Sequence, residues 1–107
     1  MTTLNTFGAP ERFHPRVDSD LTVRVEVNNR SFMVKTRDLS MAGIFLLGSP
    51  PVSLRRMVIT IPLPGDREIV TGADVKRRDE DGVAVVFDQL DWDDLIALAR
   101  YLHPRLD

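Results

Sequence analysis

From Leu21 to Val27 the chain alternates without a break, with Leu21, Val23, Val25 and Val27 on one side and Thr22, Arg24 and Glu26 on the other. A period of two lets a strand bury one face and wet the other, and a helix has no use for it. Similar short segments follow. Asn28-Asn29 tolerates the positive backbone angles of a tight turn, so Ser31 to Thr36 (SFMVKT) reads as the returning strand of a hairpin. Gly43 to Leu47 is an unbroken apolar run suited to burial on both faces, closed by Pro50-Pro51. Met57 to Ile61 alternates again before the turn cluster Pro62-Leu63-Pro64-Gly65-Asp66. Glu68 to Arg77 is a longer strand in which Gly72 is expected to mark a bulge or a barrel corner. The acidic turn Asp79-Glu80-Asp81-Gly82 leads into a last strand, Val83 to Phe87.

Only after this does the period lengthen. Trp92, Leu95, Ile96 and Ala99 follow helical spacing, as do Leu95, Leu98, Ala99 and Leu102. Asp91 is placed to cap the helix, Asp93 and Asp94 suit its positive end, and Pro104 stops it. Trp92 is expected to anchor the helix in the core. The fold class is therefore all-β with a terminal helix: a six-stranded antiparallel β-barrel with a C-terminal α-helix. Residues 1–10 read as a flexible N-terminal tail and 11–107 as one domain.

At 107 residues the chain supports one core, and a hydrophobic share of 43% is enough to build it. A net charge of −2 disfavours a general nucleic-acid binder, which needs a basic excess to neutralise phosphates. A small anionic ligand needs only a local basic cluster. With no cysteine there is no disulfide framework and no thiolate metal site, and the longest apolar run falls far short of a membrane span, so a soluble cytoplasmic domain is expected. His14 and His103 lie in separate segments, and Asp79, Glu80 and Asp81 lack the ligand spacing of a calcium loop. No serine sits in a nucleophile elbow, and there is no glycine-rich phosphate loop. Neither an enzyme nor a metal site is indicated.

Two segments carry chemistry of another kind. Arg12-Phe13-His14-Pro15-Arg16 places two arginines four apart ahead of the first strand. Their planar forks of donors match phosphate oxygens or the O6 and N7 edge of guanine. Asp38-Leu39-Ser40-Met41-Ala42-Gly43 stands between the second and third strands. Its carboxylate accepts from donors such as guanine N1 and N2, its serine adds a hydroxyl, and its glycine permits a sharp turn or close approach. Taken singly, either segment is an ordinary surface feature or turn. Together, in this order across a hairpin, they are far more specific.

The pair RFHPR and DLSMAG, separated by 21 residues, resembles the two-part signature of the PilZ domain family. The likeness extends over about residues 11 to 103, through the strands and the helix. It implies a cyclic di-GMP receptor with no further cofactor. Arg12 and Arg16 would grip phosphates and guanine edges, Asp38 and Ser40 would contact a base, and Gly43 would permit the loop geometry. The resemblance also implies output through an effector protein, after ligand orders the arginine segment over the barrel; the charge and the short apolar run lead us to expect no nucleic acid and no membrane insertion. One departure is Glu11, where many members carry another arginine associated with a stacked pair of ligands. A carboxylate there favours one ligand per domain and weaker binding. The alternative reading is a ligand-independent adaptor for a motility or secretion machine, with a generic nucleic-acid-binding barrel third.

Overall fold

The computed structural model describes residues 15–51 and 53–105. Among the described residues seven strands precede one helix: β1 Val17–Asp18, β2 Thr22–Val27, β3 Arg30–Leu39, β4 Gly43–Leu47, β5 Arg56–Leu63, β6 Arg67–Arg78 and β7 Gly82–Phe87, then α1 Trp92–Leu102 and a 3₁₀ turn His103–Arg105. Every pairing is antiparallel, in the order β1-β3-β2-β5-β6-β7-β4, and a further β3–β4 pairing closes the sheet. Six strands therefore form a closed antiparallel barrel, with β1 as a short addition beside β3. The expected barrel and terminal helix are both present.

Local chemistry explains most of the elements. Asn28 and Asn29 have φ of 52° and 66°, the pair of positive angles that a two-residue hairpin needs to match strand twist. Asp79 Oδ1 accepts from the backbone N–H groups of Asp81 and Gly82 at 2.8 and 3.1 Å, which makes the acidic run a turn. On β2 the alternation puts Val23 and Val25 in the core, while Gly43 to Leu46 on β4 are buried on both faces. Inside the barrel, Val23, Val25, Leu39, Ile44, Ile59 and Ile69 belong to one apolar cluster.

Two expectations fail. Gly72 marks no bulge, because the β5–β6 register runs through Val58↔Gly72 unbroken and the irregularity in β6 lies between Val75 and Arg77. Gly72 instead leaves room above the sheet for the side chains of Arg56 and Asp88, which a Cβ there would displace. Trp92 is not a core anchor: it is 74% exposed. Asp91 Oδ1 accepts from Asp94 N–H at 2.8 Å and fixes the helix start. Leu98 and Leu102 then form the buried line, and Trp92 lies about 120° around the helix from Leu98. Of the two apolar stripes in the helix, packing selects the one ending on Leu102. Among the described residues no helix is long and apolar enough to cross a membrane.

Candidate functional site

The second motif begins inside β3 and not in the turn after it. Val34 packs against the core and Thr36 is buried, so simple alternation would send Asp38 inward as well. It does not, because the β3–β4 register passes from Thr36↔Leu46 to Asp38↔Phe45, leaving Arg37 as an extra residue. This bulge reverses the parity of the strand. Leu39 enters the core, and Asp38 turns to the outer face beside Phe45. On its other side β3 pairs with β1, where Val17↔Leu39 is a core pair and Asp18↔Asp38 an outer one.

The first motif meets the second on this outer face. Arg16 Nη1 donates to Asp38 Oδ1 at 2.9 Å, and Arg37 Nε donates to Asp38 Oδ2 at 3.2 Å. The Asp38 side chain is 12% exposed against 38% for Arg16 and 43% for Arg37, so a nearly buried carboxylate is held between two half-exposed guanidinium groups. The arrangement is electrostatically necessary. Asp18 lies directly opposite Asp38, and two facing carboxylates without these cations would repel. Farther along the same outer row, Phe45 pairs with Ala84 and Ala84 with Arg77.

Ser40 and Gly43 build the turn. Ser40 Oγ is buried and accepts from the N–H groups of Ala42 and Gly43 at 3.1 and 3.2 Å, while Ser40 N–H donates to the Gly43 carbonyl at 2.9 Å. Phe87 N–H donates to the Ala42 carbonyl at 2.9 Å and ties the turn to β7. Gly43 does not need a positive φ. It needs to lack a Cβ, which would fall on the Val85 carbonyl oxygen of the neighbouring strand, 3.3 Å from Val86 Cα.

The structure thus brings Arg16 and Asp38 into contact, with Ser40 and Gly43 as the scaffold behind them. Arg12, Glu11 and His14 lie outside the described residues. Arg37 is the contributor that motif reading missed. Its signal is faint: a cation adjacent to the motif aspartate, given meaning only by the bulge. Two recesses among the described residues lie elsewhere. One of about 480 Å³ runs between Leu63, Arg67 and the α1 residues Ile96 and Arg100; an apolar one of about 330 Å³ opens at Phe32, Leu46, Pro50 and Met57. The motif site is an open outer surface. Among the described residues no group of three or more His, Cys, Asp or Glu is placed to hold a metal ion.

The likeness to known proteins follows the same lines. The solved inhibitor of motility from Bacillus subtilis (MotI/DgrA) superposes with a TM-score of 0.73 at 21% identity, over 91% of this chain and 51% of its own. The chain therefore spans about half the length of that protein. The PilZ domain of CeSA from a cellulose synthesizing bacterium gives 0.66 at 20% identity, covering 84% of this chain and 96% of its own. The PilZ domain of YcgR from Escherichia coli, solved with c-di-GMP, gives 0.66 at 15% identity, covering 86% and 88%. At these identities the likeness is one of fold. No curated protein matches the sequence. The sequence profile of the PilZ domain matches residues 10–103, nearly the whole chain, and on that match the chain belongs to the PilZ domain family.

Proposed function

We propose that the chain is a cyclic di-GMP receptor that passes the second-messenger signal to an effector protein, and that it catalyses nothing itself. The observation that carries this reading is the Arg16–Asp38 contact, which joins the two halves of the motif on one outer face of the barrel. There a guanidinium fork suited to phosphate or guanine lies beside a carboxylate suited to guanine N1 and N2. Family membership and the nucleotide bound by the Escherichia coli neighbour support the same ligand. Arg12 completes the basic arm, Asp38 receives a base edge, and Ser40 and Gly43 act by holding the turn that presents Asp38. Glu11 limits the site to one ligand. The protein works in the cytoplasm, and regulation of motility is the process suggested by the Bacillus subtilis neighbour.

Calorimetric titration of the full chain with cyclic di-GMP tests the proposal. Saturation at one ligand per chain with a raised melting temperature is expected. No heat and no thermal shift at high micromolar ligand would overturn it in favour of the ligand-independent adaptor. That second reading has its own support in Trp92, a large aromatic left 74% exposed at the start of α1. Exposed tryptophans are frequent anchors of protein interfaces.

A further inference from the structure

Phe45 projects from the outer side of β4, between Ile44 and Leu46, which enter the core, yet it is fully buried. Its cover is Arg37, whose guanidinium carbon lies 3.6 Å from the ring centroid. The plane is held again at its edge, where Nε donates to Asp38 Oδ2 at 3.2 Å. A flat cation fixed from below by a ring and from the side by a carboxylate has its opposite face turned to water, and the Arg37 side chain is 43% exposed. Such a plane is a surface on which purine bases stack. It lies beside the carboxylate that also receives Arg16. Arg16 is likewise held at its edge by Asp38, whereas Arg37 is held both at its edge and on one face, by Phe45; Ser40 is spent on its own turn, and Gly43 lies against β7.

We propose that Arg37 is a base-stacking residue of the ligand site, the platform on which one guanine of cyclic di-GMP lies; this rests on the receptor reading above. The bulge in β3 exists on this view to bring two consecutive side chains, Arg37 and Asp38, to the same face. One supplies the plane under the base and the other an acceptor at its edge. The role needs a guanidinium and not merely a cation or an apolar cover for Phe45.

Two variants separate those possibilities. Arg37→Met covers Phe45 without charge, and Arg37→Lys keeps charge without the plane. Both are expected to bind cyclic di-GMP at least about fivefold more weakly than the unaltered chain, with the Met variant melting close to it. NMR of the unaltered chain gives a readout that does not depend on any variant folding. The Arg37 Cδ–H and Nε–H resonances, already shifted by Phe45, should move further upfield as cyclic di-GMP saturates, from the ring current of the stacked base. Arg37 resonances unmoved at saturation, or an Arg37→Met protein that binds as tightly as the unaltered chain while Arg16→Ala does not, would overturn the stacking role and leave the receptor reading standing. No binding by the unaltered chain removes both.

Discussion

Gly43 offers the sharpest separation between a residue that touches ligand and one that builds the site. In Gly43→Ala the new methyl falls on the Val85 carbonyl oxygen, a backbone atom of β7 that no rotamer change moves aside. To restore ordinary C···O contact, β4 and β7 must part by roughly 1 Å at this point. The ladder there, Gly43↔Val86 and Ile44↔Val85, then stretches past good hydrogen-bond length. One or two bonds weakened at about 1 kcal/mol each, plus about 1–2 kcal/mol of overpacking strain, give about 2–4 kcal/mol in total. For a domain of this size the melting temperature should fall by about 10–25 °C. Gly72→Ala is the control, because its methyl meets only the ends of the Arg56 and Asp88 side chains, which can swing into water. Its melting temperature should stay within about 5 °C. Differential scanning calorimetry of both variants, with and without cyclic di-GMP, decides the matter. If Gly43→Ala melts with the unaltered chain but loses ligand, the glycine serves ligand approach and the strand-packing argument is wrong.

Arg16→Ala should weaken cyclic di-GMP about tenfold, or ~1.5 kcal/mol, with Lys restoring only part; because Asp38 keeps Arg37, a variant whose melting point collapses instead would mark Arg16 as structural. Glu11→Arg should tighten binding and open a second ligand position, whereas saturation of the unaltered chain at two ligands contradicts the charge argument. Arg56 donates to both oxygens of Asp88 and holds that carboxyl below the ordinary carboxylate range. The folded pKa is the lower one, so the stabilisation is present above the unfolded pKa near 3.9 and is lost as pH falls through the folded value. The melting difference between Asp88→Asn and the unaltered chain should therefore begin to shrink near pH 4 and go on shrinking as acid protonates the folded carboxyl, and a difference that does not shrink at all with falling pH excludes the ion pair as its cause.

Where a residue's role depends on local periodicity or turn chemistry, the fold was legible in advance. The Leu21 to Val27 alternation, the Asn28-Asn29 turn, the Asp79 turn and the Asp91 cap each follow from short-range rules that tertiary packing left alone. The failures share a cause. Trp92 belongs to one of two overlapping apolar stripes, and only the barrel's end, filled by Leu98 and Leu102 with Leu90, decides which is buried. Gly72 looks like any glycine that interrupts a strand. Its reason is an ion pair between Arg56 on β5 and Asp88 beyond β7, distant in sequence from each other.

The site divides the same way. Residue types announced the chemistry of Arg16 and Asp38, and their contact across the hairpin follows once β1 pairs with the end of β3. What the motif conceals is that its residues do unlike work. Asp38 holds a nearly buried carboxylate between Arg16 and Arg37 on the outer face, whereas Ser40 and Gly43 spend their hydroxyl and their missing Cβ on the turn and the β4–β7 ladder. Arg37 was illegible for a definite reason. Under plain alternation from Val34 it and Asp38 must lie on opposite faces of β3, so no reading by period would set them together. One extra residue against β4 cancels that rule, and a bulge is chosen by pairing with a strand that the local sequence does not contain. The bulge therefore does at one point what the motif cannot do alone. It turns Asp38 out of the barrel core, lays Arg37 over Phe45, and brings both to the face where Arg16 meets them.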